Sequence, residues 1–150
     1  MQIKLSPYFI GAFAAFAMVA AWSFSRPAVE TAVDKKTHRI VFHVTTPDTA
    51  AYRALGRQLN NVLVHWPAAQ LEVVAHNKGI NLLVKDKTNI HAEIGVLKTR
   101  GVQFFACENT LKQQKIDKSQ IVSESGFVPV GIAEVVEKQE QGWAYIKAGF

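Results

Sequence analysis

Cysteine is almost absent: the chain of 150 residues has one, Cys107. One cysteine excludes an intramolecular disulfide, a multi-cysteine zinc knuckle and a cysteine-ligated iron–sulfur cluster. It also excludes a self-contained dithiol couple, because Cys107 has no resolving partner. Glycine and proline are sparse, at nine and five residues, so the chain is no low-complexity linker. The net charge is +5, but the basic residues are scattered from Lys35 to Lys147 and form no block of nucleic-acid type. No GxGxxG, P-loop, GxSxG or paired-carboxylate pattern occurs, which disfavours dinucleotide and nucleoside-triphosphate enzymes. His38, His65 and His91 lack a ligand spacing such as HxxxH, so no metal and no cofactor are expected.

What is present is a globular composition, 49% apolar and 19% charged, which must hold together by core packing. Three regions follow. Residues 1–25 hold an uncharged run, YFIGAFAAFAMVAAWSF from Tyr8 to Phe24, behind a start that carries Lys4. Apolar on all sides, it reads as a signal peptide or a signal anchor rather than an amphipathic core helix. The expected location is therefore exported or periplasmic, the leader cleaved or retained, with the membrane touched only by this segment. Residues 26–37 are polar and aperiodic and read as a tether. Residues 38–150 are the folded domain, long enough for one core.

Within the domain, strand and helix patterns alternate. RIVFHV (Arg39–Val44), LEVVA (Leu71–Ala75), VQFFA (Val102–Ala106), a segment from Ser123 to Val130, and WAYIK (Trp143–Lys147) read as strands. Tyr52, Leu55, Leu59, Val62 and Leu63 form one helical stripe between Thr49 and His65. Further helices are expected from Thr88 or Asn89 to Arg100, from Asn109 to Gln114, and from Gly131 to Gln141. Alternation over short loops implies a three-layer α/β fold with a mostly parallel five-stranded sheet, flavodoxin-like in class.

In such sheets ligands bind at the carboxyl ends of the strands. Three loops meet there: Thr45-Thr46-Pro47-Asp48, His76-Asn77-Lys78-Gly79 and Cys107-Glu108-Asn109-Thr110. Cys107 sits between a strand end and a helix start, where free N–H groups favour a thiolate. Glu108 opposes this by its charge. The bland alternative is a small buried hydrophobe behind Phe104-Phe105-Ala106. His43 reads as a sheet-face imidazole, and His76 as a loop residue within reach of the edge.

Four stretches, RIVFHVTTPD, EVVAHNKGINLL, GVQFFACENTL and VPVGIAEVVEKQEQGWAYIK, occur in the same order in the DsrE/DsrF-like family, which the domain resembles over about residues 38–147. The more specific parts are GVQFFACENTL and the ending QEQGWAYI. The resemblance implies a flavodoxin-like fold, assembly into homo-trimers or hexamers, and relay of sulfur as a cysteine persulfide, with a reactive cysteine at the position of Cys107. A persulfide carrier would use Cys107 as nucleophile, with Thr45, His76, Asn109 and Thr110 shaping an anion-binding pocket and a thiol protein as partner. The alternative is a non-enzymatic homo-oligomeric binding module for a small anion or metal at the same cleft. Phe127, Trp143, Tyr145 and Phe150 either finish the core or form an interface.

Overall fold

The computed structural model describes residues 37–149; the leader, nearly all of the tether, and Phe150 lie outside the described residues. The strands are β1 (Arg39–Val44), β2 (Gln70–Ala75), β3 (Gln103–Cys107), β4 (Ser125–Val128) and β5 (Ala144–Ala148). The helices are α1 (Thr49–His65), α2 (His91–Thr99), α3 (Glu108–Gln114) and α4 (Gly131–Glu140). Two 3-10 turns, Asn77–Leu82 and Lys118–Gln120, complete the order.

All four strand pairings are parallel, and the sheet order is β4-β3-β2-β1-β5. The three-layer parallel class is the expected one. The order within it places β5 beside β1, so four strands run off in one direction and the fifth returns to the opposite edge. A flavodoxin order of 2-1-3-4-5 would instead reverse after β2.

This order fixes the layers. Parallel crossovers are right-handed, so successive crossovers that move the same way along a sheet put their helices on one face. The larger core cluster has that composition. It joins Ile40, Phe42, Val44, Leu71, Val73, Phe104 and Ala106 of the sheet to Tyr52, Leu55, Leu59 and Leu63 of α1, Ile94 and Leu97 of α2, and Leu111 of α3. The crossover from β4 to β5 runs the other way, and α4 lies on the opposite face. There a smaller cluster holds Val41, Val74, Val128 and Val135, with Phe105 and Trp143 packed against it.

Local chemistry sets the element ends. The Asp48 carboxylate accepts from the Ala50 N–H at 2.8 Å and caps α1. Trp66 closes the helix by donating its N–H to the Val62 carbonyl before Pro67. Helix α2 starts at His91, later than the Thr88 or Asn89 cap implied. The Asn89 amide donates instead to the Thr49 carbonyl at 3.2 Å, tying the two helix starts together. Gly79 is pressed against β1: a Cβ there would overlap the Val44 carbonyl oxygen.

One buried ion pair anchors α4. Glu72 is fully buried on the α4 side of β2, and Lys138 Nζ lies 2.6 Å from its Oε2. Glu134 stands 3.4 Å from the same ammonium, and Lys138 also sits 4.7 Å above the Trp143 ring. Burial pushes the Glu72 carboxyl up, and Lys138 holds that rise back.

Candidate functional site

Side chains alternate along a strand, so Phe105 and Cys107 of β3 face α4 while Phe104 and Ala106 face the larger core. Cys107 is the last residue of β3 and the cap residue of α3. It is buried, with 4% of its surface exposed.

Its sulfur is held by polar groups. The Gly131 N–H, the first of α4, donates to Sγ at 3.2 Å. The Thr110 hydroxyl, one turn into α3, stands near the sulfur and favours its thiolate form. Thr110 is buried, and its Oγ1 accepts the Asn77 N–H at 3.0 Å. That bond occupies a lone pair and leaves the hydroxyl proton free to face Sγ. Burial pushes the Cys107 thiol up. The Thr110 hydroxyl and the N–H groups of Gly131, Thr110 and Asn109 together outweigh it, so the net shift is below the ordinary thiol value.

The arrangement corrects one detail of the sequence reading. The Asn109 N–H donates to the Pro129 carbonyl at 3.1 Å, and its side chain is exposed. The well-formed N–H bond to sulfur among the described residues comes from α4, on the opposite face to α3. Glu108, expected to oppose the thiolate, is paired with Lys118 instead. That hydrogen bond and charge hold its carboxyl below the usual range.

Gly131 is a wedge as well as a donor. A Cβ on it would lie 3.1 Å from the Cβ atoms of both Cys107 and His76, and 3.3 Å from Val74. The backbone of α4 therefore rests on β3 and β2 at this point. His76 follows β2 next to Cys107, since Ala75 pairs with Ala106. Its ring stacks on His43 of β1, centroids 4.6 Å apart and planes within 16°. The His43 Nδ1 lies 3.0 Å from the Tyr145 hydroxyl of β5. Burial, the charge of His76 and that of Lys147 hold His43 down at about 4; burial alone lowers His76. Nε2 of each ring is buried without a hydrogen-bond partner.

Of the expected site residues, Cys107, His76 and Thr110 come together. Asn109 contributes its backbone alone. Thr45 follows β1, two strands from Cys107, and its backbone borders Gly79 instead. Among the described residues, no group of three or more His, Cys, Asp or Glu is placed to hold a metal ion. An open cavity of about 390 Å³ beside α3, lined by Glu108, Lys112, Lys115 and Lys118 among others, does not include Cys107. Gly131 and Tyr145 were not legible as site residues, and His43 read as a sheet-face imidazole. The direction of the last crossover was the signal for Gly131, and that depends on where β5 pairs.

Fold and site define a three-layer parallel α/β domain with one thiol at the carboxyl edge of its third strand. The chain belongs to the DsrE/DsrF-like family, whose model matches residues 38–148. A solved protein of unknown function from Methanobacterium thermoautotrophicum, MTH1491, is similar at 31% identity and a TM-score of 0.70, over 73% of this chain and 98% of that one. A conserved protein of unknown function from Bacteroides thetaiotaomicron, BT1422, shares the fold at 16% identity and a TM-score of 0.61, over 73% and 93% of the two chains. No curated protein matches the chain.

Proposed function

We propose that this protein carries sulfane sulfur as a persulfide on Cys107. Family membership supports a sulfur-relay role. The observation that carries the specific reading is the thiol's polar seat: an N–H from one helix at 3.2 Å and a hydroxyl from another lower its pKa although it is buried. In the reaction, the Cys107 thiolate attacks the outer sulfur of a persulfide donor, R–S–S⁻. A Cys–S–S⁻ bond forms, the donor S–S bond breaks, and R–S⁻ leaves with its electron pair. A partner thiol removes the outer sulfur by the same exchange.

The reading includes further copies of the chain as partners, supported by exposed apolar side chains at Phe127, Ile132, Val136, Tyr145 and Ile146. Trp143, by contrast, packs against the smaller core cluster. Location outside the cytoplasm rests on the leader sequence alone.

Burial of Cys107 favours one alternative, a non-enzymatic binding module in which the thiol is inert or a ligand. Intact-mass measurement after incubation with polysulfide separates the two. A carrier gains about 32 Da per sulfur, reversed by cyanide or reductant and absent in Cys107→Ser. No gain in the wild type, with slow alkylation of Cys107 at neutral pH, would leave the binding module.

A further inference from the structure

Four side chains on the α4 side of the sheet stand in a row from edge to centre: Tyr145 on β5, His43 on β1, His76 after β2 and Cys107 on β3. The persulfide reading uses only the last. The other three are joined by a bond of 3.0 Å from the tyrosine hydroxyl to His43 Nδ1 and by the stacked imidazoles. Two features need a cause. His43 is 7% exposed, yet its Nε2 has no partner, and the buried Nε2 of His76 has none either. Leaving a buried polar atom unpaired destabilises a fold, so a row with two such atoms beside a thiol calls for a function. The two nitrogens of an imidazole point away from each other. With Nδ1 of His43 held by Tyr145, its Nε2 is left as the unpartnered nitrogen.

We propose that His76 is the proton acceptor for Cys107, and that His43, clamped by Tyr145, is the positioning residue that sets the His76 ring. This rests on the carrier reading. Where Cys107 is still protonated, below its lowered pKa, Sγ attacks the outer sulfur of R–S–SH as its S–H bond breaks and the electron pair becomes the new S–S bond. The proton passes to His76 Nε2 through one water, since that nitrogen has no direct partner. The donor S–S bond breaks, its pair stays on the leaving sulfur, and His76 returns the proton there, giving R–SH and Cys–S–SH. Atoms and charge balance without an oxidant or reductant.

The surroundings suit a base. An acceptor must be neutral, and burial keeps His76 so at pH 7. Lys147 of β5 and the neighbouring His76 bear on His43, while His76 is shifted by burial alone. The first residues of α4, Gly131, Ile132 and Ala133, carry no charge. Stacking on His43 fixes the ring plane, and the shared contact of Gly131 with both Cβ atoms keeps His76 and Cys107 side by side.

The test uses the full chain purified in detergent, with an alkyl hydropersulfide as donor. Sulfur loading is followed by intact mass against pH, and Cys107 alkylation by iodoacetamide is followed in parallel. His76→Gln is expected to load about 10²-fold more slowly. It should also lose the acid limb that the wild type shows below pH 6.5, while the alkylation midpoint stays put. Tyr145→Phe removes one hydroxyl from a half-exposed side chain and should load several-fold more slowly, with its acid limb displaced. A His76→Gln chain that loads at the wild-type rate with the limb intact overturns the proposal. So does one whose alkylation midpoint rises enough to account for the slower loading, because the imidazole would then act on the thiol's charge state. A wild type that takes up no sulfur overturns the carrier reading and this one together; loading that is merely indifferent to His76 overturns this one alone.

Discussion

Replacing Thr110 by valine isolates the group that links the 3-10 turn, α3 and the sulfur. The two side chains have nearly the same shape, so the change removes a hydroxyl and little else. In the wild type the Asn77 N–H donates to Oγ1 at 3.0 Å, and the hydroxyl lowers the pKa of the nearby thiol. A hydrogen bond to a charged group contributes about 1.5–3 kcal/mol, which corresponds to about one to two pKa units. Thr110→Val should therefore raise the Cys107 pKa by about one to two units, leaving Gly131 as the main donor. Thr110→Ser should restore most of the shift. The assay is the pH dependence of iodoacetamide alkylation, or of thiolate absorbance near 240 nm. Stability carries the same signature. A folded pKa below the unfolded one contributes stability that is full above the ordinary thiol value, 9.0. It is lost as pH falls through the lowered pKa. The wild type should gain stability as pH rises across that window, and Thr110→Val should show a smaller and narrower gain. An alkylation midpoint that is the same in Thr110→Val and wild type would refute the reasoning, since the hydroxyl would then do nothing for the anion.

Lys138→Met should destabilise the fold by about 3–5 kcal/mol in urea denaturation, because it leaves the fully buried Glu72 without its partner. Adding Glu72→Met should recover most of that loss; equal destabilisation by the single and double variants would count against the pair as the cause. His43 titrates at about 4 in the fold against an ordinary 6.5. The unfolded chain therefore binds the proton first, and stability should fall as pH drops from 6.5 toward 4, by about 3 kcal/mol at most. His43→Gln should flatten that slope; an unchanged slope would show that other groups set it.

Elements with a long apolar period were legible. The stripe from Tyr52 to Leu63 is the buried face of α1, and Ile90, Ile94 and Leu97 are buried at α2 as their spacing implies. Ends decided by a distant partner were not. Asn89 looks like a cap, but its amide is drawn to the Thr49 carbonyl, and α2 starts later. The turn at Lys118–Gln120 was missed although Asp117 and Gln120 form a capping box there. Glu72 passed as one residue of an apolar strand because its partner, Lys138, lies far along the chain on α4. At the site, Cys107 was legible as a strand end that starts a helix. Its best donor was not, because no local pattern says that the residue after Pro129-Val130 will rest on β3.

The sheet order supplies the reason that Gly131 reaches the sulfur at all. Helix α3 begins at the residue after Cys107 but packs on the other face, where Leu111 joins the larger core. Taken alone, it leaves the thiol facing away from its own helix. Only an element on the α4 face can close over the sulfur from that side. Because β5 pairs with β1, the chain leaving β4 must travel back across β3, β2 and β1 to reach its place. Helix α4 thus starts above Cys107 and His76 and ends over Glu72, where Lys138 pins it. Were β5 paired beyond β4, the crossover would move outward along the sheet and α4 would not cross β3. The polar seat of the thiol is therefore a product of strand order: Thr110 from α3 and Gly131 from α4, on opposite faces, both favour the thiolate because the last crossover reverses direction.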